Sequence, residues 1–167
     1  SAETEMVANI DSYTTATKTL SDCRILHEEI TAHKIVNEDN SLSEMEELFS
    51  QGEYNDVITI GTAAVEELTE LRALWERARE LQDSCRKLSE LLTGTGSYLA
   101  RELRIVRAHG IKYDNALLSK LEKLFNEGNY KGVIKNGEKL EAELKQLIDS
   151  QIEIEEEAVG KFKKYKA

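Results

Sequence analysis

A repeated segment of thirty residues places the strongest limit on how this chain can fold. Residues 42–71 align without gaps with residues 118–147 at an offset of 76, and 13 of the 30 positions are identical. The match extends upstream, where the Ala-His-Lys-Ile of residues 32–35 aligns with the Ala-His-Gly-Ile of residues 108–111. A fixed internal period is typical of arrays built from one supersecondary unit. The sequence therefore predicts two related units.

Composition indicates that both units are helical. The chain of 167 residues contains no proline, which is the strongest breaker of helices. Glu, Leu, Lys and Ala, all good helix formers, are abundant, and a third of the chain is charged. We predict an all-α fold, an elongated helical bundle of two related three-helix units. A first helix is expected from Glu3 to about Ala32, and short helices are expected at 42–51 and 118–127.

The turns of each unit carry matching residues. Each short helix ends at a glycine, Gly52 or Gly128, the residue best suited to the left-handed position after a helix. Tyr54 and Tyr130 follow two residues later and should open the next helix and pack over the turn. Ser41 or Ser43 is expected to cap the first short helix.

The other turn of each unit contains His33 in the first unit and His109 in the second. In that position an imidazole can satisfy carbonyl groups at a helix end, and we favour this structural role over metal binding.

A heptad pattern runs along the third helix and into the second unit. Its positions are Ala64, Leu68, Leu71, Trp75, Ala78, Gln82, Cys85, Ser89, Leu92, Gly96, Leu99, Leu103 and Val106. The pattern keeps its phase across Gly94-Thr95-Gly96, although two glycines normally break a helix. Either one helix runs from Tyr54 to Ala108 and is shared by the units, or the chain folds back at the glycines. We favour the continuous helix, and we place the unit boundary there, giving units 1–92 and 93–167.

Two cysteines, Cys23 and Cys85, fit no metal-binding spacing. With helices running up, down and up, Tyr54 should lie level with Asp22, so Cys85 would lie roughly 45 Å beyond Cys23 at 1.5 Å per residue. A disulfide needs Cα atoms within about 7 Å. We expect two free, buried thiols, which favour a reducing compartment such as the cytoplasm.

No catalytic, cofactor or metal site is predicted. The three histidines lack zinc spacing, and no Ser/His/Asp or Cys/His set can be proposed. A net charge of −10 argues against nucleic acid as a partner. No run of about 20 apolar residues could span a membrane. The chain begins with Ser-Ala rather than Met, so we expect it to be part of something longer.

A few side chains remain as candidates for binding. Trp75 is the only tryptophan and lies on the heptad pattern, where core packing is favoured over contact with a partner. Gln82, Ser89 and Thr95 are the polar residues expected inside the bundle. The heptad pattern could be satisfied within the chain or by a second copy in a homodimer.

The two segments around the Gly-x-Tyr turns resemble the middle of a tetratricopeptide repeat, in which such a turn joins two antiparallel helices. The period of 76 exceeds the tetratricopeptide period of about 34, and Val57 and Val133 stand where that family has alanine. A spectrin-like array, in which a long helix is shared by successive three-helix units, fits the period as well. Both resemblances imply a helical scaffold that binds proteins.

These observations predict a non-catalytic scaffold or protein-interaction module inside a larger chain or assembly. The alternative is a ligand-sensing helical bundle that relays a signal along the long helix, with its hinge at Gly94–Gly96. A sensor of this kind would need a polar-lined pocket inside the bundle.

Overall fold

The fold is taken from a computed structural model, which describes residues 1–93 and 116–166. Five helices occupy these residues: α1 Ala2–Ala32, α2 Ser41–Ser50, α3 Tyr54–Thr93, α4 Ala116–Asn126 and α5 Tyr130–Lys166. The described residues contain no strand, so the all-α prediction is confirmed. The predicted hinge and unit boundary at Gly94–Gly96 and the predicted turn residue His109 lie outside the described residues.

The chain divides into two compact units, Ser1–Trp75 and Glu76–Ala167. The division falls inside α3, which supplies its first part to unit 1 and its second part to unit 2. The heptad positions predicted from Ala64 to Leu92 are all buried or half-buried in this helix. Their spacing of alternating threes and fours therefore keeps one side of α3 inside the protein along its described length.

Three helices end in the same backbone arrangement, with a left-handed residue just past the helix. These residues are Lys34 (φ 55°), Gly52 (φ 80°) and Gly128 (φ 78°). The left-handed residue donates its N–H to the carbonyl three residues back, at 3.0, 3.1 and 3.0 Å respectively. The next residue donates to the carbonyl five residues back, at 3.0, 3.0 and 2.9 Å. This is the Schellman motif, which satisfies carbonyls that the helix end would otherwise leave unpaired.

The predicted caps of α2 were wrong in detail. Asn40 is the N-cap and makes no side-chain capping bond, and Ser41 is already the first helical residue. The Asp39 carboxylate instead accepts hydrogen bonds from both the backbone N–H and the hydroxyl of Ser41. A carboxylate beside a helix N-terminus also interacts favourably with the helix dipole, so the acidic residue replaces the predicted serine cap.

In unit 1, α1 and α3 run in the same direction, with α2 antiparallel to both. Ser12 and Tyr13 of α1 lie beside Asn55 and Tyr54 at the start of α3. The ring of His33, just past the end of α1, lies 5.0 Å from the ring of Trp75. Tyr54 is therefore level with Tyr13 and not with Asp22 as predicted, a difference of nine residues or roughly 13 Å along the helix.

In unit 2, the second part of α3 packs against the hairpin of α4 and α5. The Cys85 thiol donates to the Gly137 carbonyl at 3.4 Å, and Arg77 forms an ion pair with Glu138 at 3.6 Å. The buried apolar side chains include Ala78, Leu81, Leu92, Leu121, Val133, Leu140, Leu144 and Ile148. Ser89 is buried as predicted.

The first helices of the two units do not follow the offset of 76. Gly61 faces Thr19 in unit 1, and its repeat equivalent Gly137 faces Leu81 in unit 2. Thr19 and Leu81 are 62 residues apart, so the first helices of the two units align at an offset of 62 residues. At this offset both contain Cys-Arg-x-Leu-x-Glu-x-x-Thr, at 23–31 and 85–93. The chain between the first helix and the short helix is consequently fourteen residues longer in unit 2.

The alignment at 62 changes which turn residues correspond. In sequence, an offset of 62 aligns Lys34 with Gly96 and His33 with Thr95, whereas the offset of 76 aligns His33 with His109; Thr95, Gly96 and His109 lie outside the described residues. Ala16 and Cys23 correspond at the offset of 62 to Ala78 and Cys85, and all four are fully buried. The same face of the first helix therefore meets its neighbours in both units.

We expect Lys34→Gly to raise the free energy of unfolding by about 0.5–1 kcal/mol, because glycine adopts a left-handed backbone without steric cost. Urea denaturation followed by circular dichroism measures the change. The matched control is Gly52→Ala, where an added Cβ would meet no atom within 4 Å. That variant should lose about 1 kcal/mol from backbone strain alone. A destabilised Lys34→Gly variant would contradict this account of the turn.

We expect Gly61→Ala to lower the free energy of unfolding by up to about 2 kcal/mol. An added Cβ would overlap the methyl groups of Met45 and Thr19. Overpacking of this kind costs about 1–3 kcal/mol and outweighs the gain of about 1 kcal/mol in helix propensity. Gly160→Ala in α5 is the control, because its Cβ would meet nothing within 4 Å. If both variants are stabilised equally, the close approach at Gly61 is not real.

Candidate functional site

Four large apolar side chains are exposed together on the first four turns of α1. They are Met6, Val7, Ile10 and Tyr13, with exposed fractions of 60, 56, 57 and 48%. We call this set the α1 face. Met6, Ile10 and Tyr13 are spaced by four and three residues, which is the spacing of one side of a coiled coil. An exposed apolar set of this kind usually marks a surface that binds something.

The α1 face is exposed because α1 begins well before its neighbour. Residues 1–11 are all exposed, and Ser12 is the first residue of α1 that is partly buried. Its hydroxyl donates to the Asn55 side chain at 3.3 Å, at the start of α3. The residues before Ser12 have no described helix of unit 1 beside them. Because α3 begins level with Tyr13, the first turns of α1 extend beyond the start of α3 and their apolar side chains stay exposed.

Tyr13 joins the α1 face to the core of unit 1. Its ring centroid lies 5.7 Å from that of Phe49 and 5.3 Å from that of Tyr54, the second contact being edge-to-face. Phe49 and Tyr54 also pack edge-to-face, at 5.3 Å. The predicted packing of Tyr54 over the turn is present, and in unit 2 Phe125 and Tyr130 make the same contact at 5.4 Å.

Trp75 and His33 pack against each other at the opposite end of unit 1. Their rings are tilted by 36°, and Trp75 is only 8% exposed. The backbone N–H of His33 donates to the Glu29 carbonyl, so its main chain contributes to ending the helix. In this structure Trp75 presents little surface to a partner, and the α1 face presents much more.

An open cleft of about 290 Å³ lies between α3 and α4 in unit 2. Its lining residues are Gln82, Arg86, Leu118, Ser119 and Glu122. We call it the α3–α4 cleft. Arg86 forms an ion pair with Asp83 of its own helix and not with Glu122 across the cleft. Among the described residues, the side chains of Gln82, Ser119 and Glu122 make no hydrogen bond or ion pair.

The equivalent position in unit 1 is bridged by an ion pair. The α3–α4 cleft corresponds there to Leu20, Arg24, Leu42, Ser43 and Glu46. Arg24 reaches across to Glu46, with Nε and Oε1 3.0 Å apart, and Leu20 is buried. Gln82 takes the place of Leu20, and Asp83 takes the place of Ser21. Two substitutions therefore accompany the change from a closed ion pair to an open cleft.

Both cysteines are free and buried, as predicted. Burial raises the pKa of the Cys85 thiol to about 11; Glu141 adds to the rise and Lys145 opposes it. Burial also raises the pKa of Cys23, with smaller contributions from Asp39 and Glu46. A thiol with a raised pKa is rarely ionised at neutral pH and is a poor nucleophile.

The carboxyl group nearest to Cys85 is held in its charged form. Hydrogen bonds from Ser84 and then from Lys145 lower the pKa of Glu141. Lys145 lies 3.1 Å from the carboxylate. Glu141 thus remains a negative charge beside the buried thiol, which is the reverse of what a reactive cysteine requires.

The described residues form neither a three-residue metal site nor a membrane-spanning helix. Within 1–93 and 116–166, no three His, Cys, Asp or Glu side chains are grouped to hold a metal ion. None of the described helices has an apolar stretch long enough to cross a membrane.

Some of these residues are recognisable from the sequence, but their roles are not. Met6, Ile10 and Tyr13 are an obvious apolar stripe, but their exposure depends on where α3 begins. Gln82 was expected to be a buried polar residue and instead is half-buried at the α3–α4 cleft. Arg86 was missed, although the second copy of Cys-Arg-x-Leu would have paired it with Arg24.

No protein-family model, curated protein or solved structure matches this chain. Its function therefore has to be argued from its own residues.

We expect the free energy of unfolding to fall as pH rises from about 9 to about 11. The folded Cys85 keeps its proton up to a pKa of about 11, whereas the unfolded thiol ionises near its ordinary 9.0. The unfolded state therefore binds fewer protons over this range, and stability is lost with rising pH. Urea denaturation at pH 8–11 should show a steeper fall in the free energy of unfolding for the unmodified protein than for Cys85→Ala, which keeps every other titratable group. Equal slopes would contradict the raised pKa.

Proposed function

We propose that this chain is a non-catalytic interaction module whose α1 face binds an amphipathic helix of a partner protein. The main support for this proposal is the exposure of four large apolar side chains on one well-formed helix, namely Met6, Val7, Ile10 and Tyr13. The repeat and its resemblance to tetratricopeptide and spectrin-like arrays support a scaffold role. Trp75, which is buried, is not part of the proposed surface.

The spacing of the α1 face supports a helix as the partner. Met6, Ile10 and Tyr13 repeat by four and three residues, so a second helix can lie along them with its own apolar side chains between theirs. Thr14 and Thr17 continue along the same side of α1. Their hydroxyls already donate to the carbonyls of Ile10 and Tyr13 at 2.9 and 2.8 Å, and so need no partner group.

The charges beside the α1 face support a basic partner. Glu3, Glu5 and Asp11 are exposed around it, and the first lysine or arginine of the chain is Lys18. Lys or Arg residues beside the apolar stripe of a bound helix would meet these carboxylates, whereas Glu would be repelled. Such rim charges contribute more to partner choice and to association rate than to affinity.

The buried part of α1 indicates that the α1 face is already ordered before a partner binds. From Ala16 onward, α1 packs into unit 1 through Leu20, Cys23 and Ile30. Tyr13 ties the last turn of the α1 face to Phe49 and Tyr54. A surface carried on an already packed helix loses less conformational entropy on binding than a disordered segment would.

We expect Ile10→Asp to weaken binding of a basic amphipathic helix by at least about tenfold, because it places a charge at the centre of the apolar contact. Two synthetic helices serve as probes, with the same Leu/Ile heptad stripe flanked either by Lys or by Glu. Fluorescence anisotropy measures their affinities. The Lys-flanked helix should bind and the Glu-flanked helix should bind at least about tenfold more weakly.

The control for that experiment is Ile25→Asp, which changes another isoleucine of α1 with a similar exposed fraction of 52%. It should leave binding unchanged. Equal binding of both probes, or no binding, would count against a basic helix as partner. Self-association of the unmodified chain that Ile10→Asp abolishes in sedimentation equilibrium would instead make a second copy the occupant.

A further inference from the structure

The α3–α4 cleft differs from its counterpart in unit 1 in a way that packing alone does not require. In unit 1 the arginine of the first helix pairs with the glutamate of the short helix, Arg24 with Glu46. In unit 2 both residue types are retained as Arg86 and Glu122, yet the two side chains stand on opposite sides of an open space. The two residues that could form this ion pair across the cleft are present, but the ion pair is not formed.

Two neighbouring residues account for the open state. Asp83, in place of Ser21, gives Arg86 an ion-pair partner one turn back on its own helix. Gln82, in place of the buried Leu20, puts an amide where unit 1 has an apolar side chain. These two substitutions therefore remove an apolar side chain and redirect the arginine, which leaves walls that are partly polar and partly apolar.

The chemistry of the walls limits what can bind. Arg86 is 60% exposed, and its guanidinium has more N–H donors than one carboxylate can occupy. Glu122 offers a carboxylate, Gln82 and Ser119 offer groups that both donate and accept, and Leu118 supplies the apolar part. A ligand that pairs with both needs an anionic group for Arg86 and a cationic group for Glu122, which line the same cleft.

From this geometry we infer that the α3–α4 cleft is a binding site for a small zwitterion of the α-amino-acid class. The ligand carboxylate pairs with Arg86, its ammonium group pairs with Glu122, and its side chain lies against Leu118. The inference is independent of the α1 face. It gives the ligand-sensing alternative a candidate site, which is an open cleft at the surface and not an enclosed pocket inside the bundle. Because the charged groups are solvent-exposed, we expect dissociation constants on the order of 1 mM.

The test uses the twenty free amino acids as probes, with saturation-transfer NMR to detect binding and titration of amide shifts to measure affinity. At least one amino acid should bind. Its carboxamide and its N-acetyl derivative, which each lack one charge, should bind at least about tenfold more weakly. Arg86→Gln and Glu122→Gln should weaken binding to a similar degree. The matched controls Arg24→Gln and Glu46→Gln, in the closed counterpart, should leave it unchanged.

A second variant distinguishes loss of the binding site from loss of folding. The double substitution Gln82→Leu with Asp83→Ser copies the residues that already fold at this position in unit 1. It should abolish binding while helicity and the midpoint of unfolding are kept, because Arg86 is then expected to pair with Glu122. No binding of any amino acid at about 20 mM would overturn the inference. Binding that survives loss of either charged side chain, or of either ligand charge, would overturn it as well.

Discussion

The turn between the short helix and the long helix is the constraint on which each unit depends. A left-handed glycine, Gly52 or Gly128, ends the short helix, and the tyrosine two residues on opens the next. The Schellman hydrogen bonds satisfy the helix end, and the ring contacts Phe49–Tyr54 and Phe125–Tyr130 cover the turn. With so few residues between them, the two helices have to lie antiparallel. Both hairpins therefore have the same geometry, whatever packs against them.

The first helix of each unit is held to that hairpin by side-chain packing and a few polar contacts, such as Arg24–Glu46 and Cys85–Gly137, and there the units differ. Thr19 lies against Gly61 and Leu81 lies against Gly137, at positions 62 apart in a repeat of 76. The buried Ala16 and Cys23 of the first unit correspond at the offset of 62 to the buried Ala78 and Cys85 of the second. The level of α1 also leaves its first eleven residues without a neighbouring helix in unit 1, and this exposes the α1 face.

The two proposed sites depend on departures from an otherwise closed arrangement. The α1 face is a stretch of heptad pattern without a described neighbour, and the α3–α4 cleft is an Arg–Glu position at which the ion pair is not formed. The side chains with no function of this kind behave as packing residues. Trp75, Cys23 and Cys85 are buried, and a thiol with a raised pKa beside the charged Glu141 is suited to a core and not to chemistry.

Local features of the sequence determined the helices, the glycine turns and the buried side of α3, because these depend on residues close together in the chain. The phase from Ala64 to Leu92 and the role of Gly52 and Gly128 could all be predicted. The left-handed Lys34 could not, since its backbone is set by the hydrogen bonds of the turn. Only the tertiary structure decided the level at which α1 meets α3. A heptad stripe presents the same face every seven residues, so it specifies which side is buried but not which residues meet. That level decides how much of α1 is covered by α3, and it leaves Met6 and Ile10 exposed.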